Sequence, residues 1–136
     1  MPDLDLTVGA EIPPFVRKSD LHAWNRYAAV NDEFVPIHMD DEAGREAGFP
    51  SAIGMGNLSF SHLHNALRGW LGDKGRIKSL STSYRNPNLR KSTVTTHGKI
   101  ASVTPGSPTQ VEVDLWIDDD GGRLLLEAKA VVEVAV

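Results

Sequence analysis

The chain has 136 residues, 40% of them hydrophobic and 24% charged, with 14 basic against 18 acidic side chains and a net charge of −4. This length supports one domain covering residues 1–136, and the composition argues against disorder, general nucleic-acid binding and a membrane span of ~20 apolar residues. With no cysteine, a disulfide framework, a cysteine nucleophile, an iron–sulfur cluster and cysteine-bound zinc are excluded, and a cytoplasmic location fits.

The opening segment MPDLDLTVGAEIPPF lacks the basic start and apolar core of a signal peptide. Residues 19–30 predict a short helix, capped by Ser19 or Asp20, with Leu21, Trp24, Tyr27 and Ala28 on one face. Pro36 restricts Val35 to extended geometry, so Asn31 to His38 predicts an irregular loop. Asp40 or Asp41 caps a second short helix, DEAGREAG, that stops near Gly48, and Phe49-Pro50-Ser51 forms a turn. A longer helix is expected from Gly56 to Trp70, with Leu63, Ala66, Leu67 and Trp70 as its apolar stripe and Leu58 and Phe60 near its start.

The period then changes to that of strands. Arg76 to Tyr84 alternates imperfectly, Thr93 to Val103 is rich in β-branched residues, and Val111, Val113, Leu115 and Ile117 alternate with Glu112, Asp114 and Trp116. Asp118-Asp119-Asp120-Gly121-Gly122 predicts a hairpin turn rather than a metal cluster, and Leu124 to Val136 a final strand. Three consecutive long strands imply an antiparallel sheet whose concave face the long helix fills, an α+β architecture. Residues 68–91 hold seven basic side chains (Arg68, Lys74, Arg76, Lys78, Arg85, Arg90 and Lys91) against the single acid Asp73. Such a stretch suits either a small anionic ligand or a strand edge guarded against aggregation.

Two features can carry chemistry. In Asn31 to Asp41, the carboxylates Asp32 and Glu33 precede His38 by six and five residues on a non-helical segment. Such a loop can turn a carboxylate and an imidazole toward one water, the first taking its proton while the second orients it; it can equally be a helix-capping turn. In Ile53-Gly54-Met55-Gly56-Asn57-Leu58, two glycines precede the long helix. Glycine admits close approach to backbone, and a helix start offers free N–H donors to a polarised carbonyl oxygen; tight packing of the helix start explains them equally. His62 and His64 lie two apart, on different helix faces, so they form no i, i+4 metal pair, one being expected buried or interfacial and the other solvent-facing. His22 and His97 have no acidic neighbour pattern.

The order of these features resembles the MaoC-like dehydratases, the (R)-specific enoyl-CoA hydratases of the hotdog fold. The resemblance rests on Tyr27-Ala28-Ala29, Val35-Pro36-Ile37-His38-Met39-Asp40, Ala47-Gly48-Phe49-Pro50, Ile53 to Leu58, and Ser83-Tyr84-Arg85-Asn86-Pro87 as the family's aromatic-x-x-Pro strand end. It spans Ser19 to Val134. The family loop reads Gly-Asp-x-Asn-Pro-aliphatic-His. Laid without gaps, it places the histidine on His38, the proline on Pro36, the aspartate on Glu33, the glycine on Asp32 and the asparagine on Val35. A one-residue insertion puts the aspartate on Asp32 instead. The family's histidine-glycine pair becomes Met55-Gly56.

The resemblance implies a single hotdog domain acting as a lyase of fatty acid metabolism. Enoyl thioesters of coenzyme A or an acyl carrier would be its substrates, with no metal or redox cofactor. It assigns catalysis to His38, to Glu33 or Asp32, and to the Gly56 N–H; Arg76, Lys78, Arg85, Arg90 or Lys91 would hold the coenzyme A phosphates. It also implies a homodimer, or a heterodimer with another hotdog subunit. A non-catalytic subunit of a heteromeric dehydratase, or a thioesterase, are the alternatives.

Overall fold

The computed structural model describes residues 4–135. Five strands and three α-helices follow in the order β1 (Phe15–Ser19), α1 (Leu21–Asn31), α2 (Asp41–Glu46), α3 (Gly56–Leu71), β2 (Gly75–Tyr84), β3 (Ser92–Thr104), β4 (Thr109–Asp119) and β5 (Leu124–Val134), with a 3-10 turn at Pro36–His38 before α2. The strands form one antiparallel sheet in the order β1-β3-β4-β5-β2. The expected three-strand meander is its centre. β2 pairs with β5 and stands at one edge, away from β3, its successor in sequence.

The alternation in β4 and β5 sends one face inward. Val111, Val113, Leu115, Ile117, Leu126, Ala130 and Val132 are buried against Leu63, Ala66, Leu67 and Leu71 of α3. Fully burying one such leucine contributes roughly 1.5–3 kcal/mol. The helix runs one residue past its expected end, and Leu71 rather than Trp70 completes the buried stripe. Trp70 packs at the periphery. A sheet curled round one long helix is the hotdog fold that the resemblance implies.

β1 lies in a stretch assigned no strand from sequence. Its five residues FVRKS carry two exposed cations and no alternation, and pairing with β3 is what makes them a strand. The cap of α1 is Asp20, whose side chain accepts from the Leu21 amide, while Ser19 is buried and serves elsewhere. Asp40 caps α2 by accepting from Glu42 at 2.9 Å. In the β4–β5 turn Asp119 accepts from the amides of Gly121 and Arg123. His97 has no acidic neighbour in sequence but meets Asp118 across the sheet at 2.9 Å. β5 ends at Val134, and Val136 falls outside the described residues. Among the described residues no helix is long and apolar enough to cross a membrane.

A second apolar cluster holds α1 to the segment before α3: Trp24, Ala28, Ala52 and Met55 are all buried. Trp24 Nε1 donates to Ser19 Oγ at 3.1 Å, and the Ser19 hydroxyl donates to Asn88 Oδ1 at 2.7 Å. Gly54 sits in the crook of this network. Its N–H donates to the Asn88 carbonyl at 2.8 Å, and a Cβ there would meet Asn88 Nδ2 at 2.9 Å and Trp24 Nε1 at 3.0 Å. Packing alone explains this glycine. Arg90 completes the tie, donating to Asp20 at 2.7 Å and to Asp41 at 2.8 Å.

Candidate active site

His38 closes the 3-10 turn at Pro36–His38, whose opening proline presets the backbone. Its Nδ1 lies 2.8 Å from the Ile53 carbonyl oxygen. A carbonyl only accepts, so Nδ1 carries the proton, and the neutral imidazole has its lone pair on Nε2. The Ile53 amide in turn donates to the Ile37 carbonyl at 2.9 Å. These two bonds lace the turn to the segment that leads into α3, and so carry the imidazole toward the start of that helix.

The two carboxylates differ. Asp32 follows the last residue of α1 with φ 52, in the left-handed region, and is exposed. Asp, Asn and Gly are the residues that tolerate this geometry. Glu33 is half-buried, and its amide donates to the Ala28 carbonyl at 3.0 Å. Burial pushes the Tyr27 phenol above its ordinary pKa, and the charges of Glu33 and Tyr84 add to the rise.

The start of α3 has no side-chain cap, because Met55 occupies the N-cap position. Gly56, the first helical residue, has an exposed backbone and an amide with no acceptor among the described residues. The Tyr84 hydroxyl donates to the Gly56 carbonyl at 2.9 Å. A cleft of about 290 Å³ opens here, lined by Phe49, Gly54, Gly56, Ser59, Tyr84 and Pro87 among others. His38 and Glu33 stand outside its lining. Phe34, Val35, Val30 and Tyr84 are large apolar side chains left exposed. A wider groove of about 700 Å³ lies on the outer face of the sheet, among Ser81, Lys99, Asp114, Trp116 and Lys129, and shares only Arg85 with the Gly56 cleft. It has no free helix amide, and the candidate chemistry is not there.

The basic stretch is spread out rather than gathered. Arg76 pairs with Glu133 at 2.8 Å, and Lys78 reaches the same carboxylate at 3.7 Å. Arg85 pairs with Glu127 at 3.1 Å and also lines the Gly56 cleft. Arg90 binds Asp20 and Asp41; its hydrogen bond holds the Asp20 carboxyl below the usual carboxylate range, and the Ala52 amide first and Arg90 after it do the same for Asp41. Lys91 is exposed, with φ 57, and its charge acts on Asp20. Sequence alone gives Tyr27 and Tyr84 no chemical role: Tyr84 reads only as the aromatic of the strand end, and no spacing signal ties it to Gly56, 28 residues away.

Both helix histidines are half-buried. His62 packs on Phe15 with ring centroids 5.7 Å apart, and burial lowers its pKa to about 4, with Arg17 adding to the effect. His64 meets Phe60 edge-on at 5.0 Å. The expected division into one buried and one solvent-facing ring is not seen.

A family model described as MaoC like domain matches residues 10–117. A search of curated proteins found no match by sequence. Solved structures share the fold at low identity. One is an (R)-hydratase from A. caviae involved in PHA biosynthesis, 23% identical, with a TM-score of 0.85 over 95% of this chain and 97% of that one. Another is the ChsH1-ChsH2 complex from Mycobacterium tuberculosis, 20% identical, with a TM-score of 0.84 over 94% of this chain and 98% of that one. A third is the HadBC (3R-hydroxyacyl-ACP dehydratase) complex from the same organism, 14% identical, with a TM-score of 0.74 over 95% and 97%. With the family match covering most of the sequence, the chain belongs to the MaoC-like domain family.

Proposed function

We propose that the protein catalyses reversible hydration of 2-enoyl thioesters to (R)-3-hydroxyacyl thioesters. The observation that carries this reading is the hydrogen bond from His38 Nδ1 to Ile53, which brings an imidazole with a free Nε2 toward an uncapped helix start. Glu33 and His38 hold one water. Its oxygen bonds to C3 of the enoyl group as one of its protons passes to this pair. The C2 carbon then takes a proton from the same pair, which is thereby restored, and in between the thioester oxygen bears the negative charge. The Gly56 N–H and the positive end of α3 stabilise that charge.

The left-handed φ of Asp32 supports Glu33 as the carboxylate. Laid without gaps, the family's loop puts its glycine at this position and its aspartate at the next. No insertion is then required. Among the basic residues, Arg85 is best placed to meet the phosphates of a coenzyme A or acyl-carrier thioester, since it lines the cleft and its exposed pairing with Glu127 is weak. Arg90 is engaged by two carboxylates. The partner is a second hotdog chain, homologous or identical, for which β2 offers a sheet edge with no strand beyond it among the described residues.

A second reading is a non-catalytic subunit of a heteromeric dehydratase. Val35 favours it, because an exposed valine stands where the family's loop carries asparagine. Incubation with crotonyl-CoA, followed by loss of the enoyl absorbance, separates the two. Hydration that disappears in His38→Ala supports the enzyme. Activity that appears only with an added partner and survives loss of both Asp32 and Glu33 supports the subunit.

A further inference from the structure

The first turn of α3 is weakly tied for an element that must present a directed amide. It has no side-chain cap and opens on glycine, which frays readily. A single side chain compensates. Tyr84 donates its hydroxyl to the Gly56 carbonyl at 2.9 Å, and its ring lies so near that a Cβ at position 56 would come 3.2 Å from Cζ. The same residue closes the edge strand β2 and remains 53% exposed. Its ring lines the cleft beside Gly54, Ser59 and Pro87. Tyr84 thus touches the amide-bearing turn and walls the cleft beside it.

We propose that Tyr84 is a positioning and specificity residue of this site: its hydroxyl holds the Gly56 carbonyl and so steadies the residue whose free amide, one peptide plane earlier, meets the thioester oxygen, and its ring is the wall on which the acyl carbons lie. The proposal rests on the hydratase reading. The hydroxyl works through Gly56, whereas the ring contacts substrate directly. The two parts are therefore separable by substitution. Tyr84→Phe keeps the wall and removes the clamp. Tyr84→Ala removes both.

The test uses crotonyl-CoA for turnover and butyryl-CoA, which cannot be hydrated, for binding. In Tyr84→Phe, kcat falls about tenfold while KM stays within about twofold, as expected for losing one hydrogen bond that matters to the transition state. The shift of the butyryl-CoA thioester carbonyl band, read by infrared difference spectroscopy, shrinks in the same variant. A merely structural tyrosine would leave that band alone. Tyr84→Ala raises KM at least severalfold, and a KM equal to that of Tyr84→Phe overturns the wall; if it does not fold, Tyr84→Leu supplies the same comparison. An unchanged kcat or an unchanged carbonyl band in Tyr84→Phe overturns the proposal and leaves hydration by the wild type standing. A wild-type protein that shifts the band, loses the shift in Tyr84→Phe and hydrates nothing supports the clamp and defeats the hydratase reading. A wild-type protein that neither hydrates crotonyl-CoA nor shifts the band overturns both.

Discussion

His38 and Ile53 are joined by a 2.8 Å contact between an imidazole Nδ1 and a backbone carbonyl. The contact decides which ring nitrogen faces the site, since only Nε2 is left to accept a proton from water. Replacing His38 by alanine is expected to lower the hydration rate by roughly 10²–10⁴-fold, the usual contribution of a positioned acid–base group. Crotonyl-CoA turnover measures it, with circular dichroism to show that the fold is kept. Retention of full activity would remove His38 from the mechanism.

On the proposed reading Glu33 takes the proton and its neighbour Asp32 does not. Glu33→Gln is expected to reduce turnover by about 100-fold or more, since an amide cannot take the proton. Asp32→Asn should stay within about threefold, because asparagine tolerates the left-handed backbone and no reacting group is removed. Asp32→Gly should match or slightly exceed the wild type in unfolding free energy, by no more than about 1 kcal/mol. The reverse ranking in steady-state kinetics would favour Asp32 as the carboxylate.

Leu67 is fully buried in the middle of α3, against the sheet. Leu67→Ala leaves a cavity that neighbouring strands cannot collapse into, at a cost of about 2–5 kcal/mol. Urea unfolding should show a lower midpoint with an unchanged slope. A loss below about 1 kcal/mol would mean that the helix packs loosely on the sheet.

His62 is held neutral, with its pKa lowered to about 4 by burial first and the Arg17 charge second. Its pKa when unfolded is higher, near 6.5. The unfolded chain therefore binds a proton before the folded one does, and stability drops as pH falls from about 6.5 toward 4. The contribution is on the order of 2–3 kcal/mol. His62→Leu is expected to flatten unfolding free energy across that window. Below it, the lowered Asp20, Asp41 and Glu133 carboxyls continue the loss in both proteins. A His62→Leu curve parallel to the wild type between pH 4 and 6.5 would contradict the assignment.

The central sheet and the long helix were legible because their periods are written locally. Val111, Val113, Leu115 and Ile117 alternate, and Leu63, Ala66 and Leu67 recur at helical spacing. β1 was not legible, since Phe15 to Ser19 has no period of its own and takes its shape from β3. The site divides the same way. His38 and Gly56 stand in recognisable motifs, but the choice between Asp32 and Glu33 turns on a backbone angle. The basic stretch is dispersed for a physical reason. Its carboxylate partners are remote in sequence, Glu133 lying 57 residues from Arg76, Glu127 42 from Arg85 and Asp20 70 from Arg90. A local count of charge cannot register such pairings.

The guanidinium of Arg90 reaches Asp20 at the start of α1 and Asp41 at the start of α2. The segment between those two carboxylates, including Glu33 and His38, is thereby closed at its ends, with the Trp24 cluster and the His38–Ile53 bond holding it within. Asp41 also accepts from the Ala52 amide, which extends the fastening to the approach to α3. Elements joined through shared ties open as a unit rather than residue by residue. The segment from α1 to the approach to α3 can therefore open together, while α3 stays packed on β3, β4 and β5. In hydrogen exchange it would register as a cooperative block, with Arg90 as the point where the two parts of the molecule let go of one another.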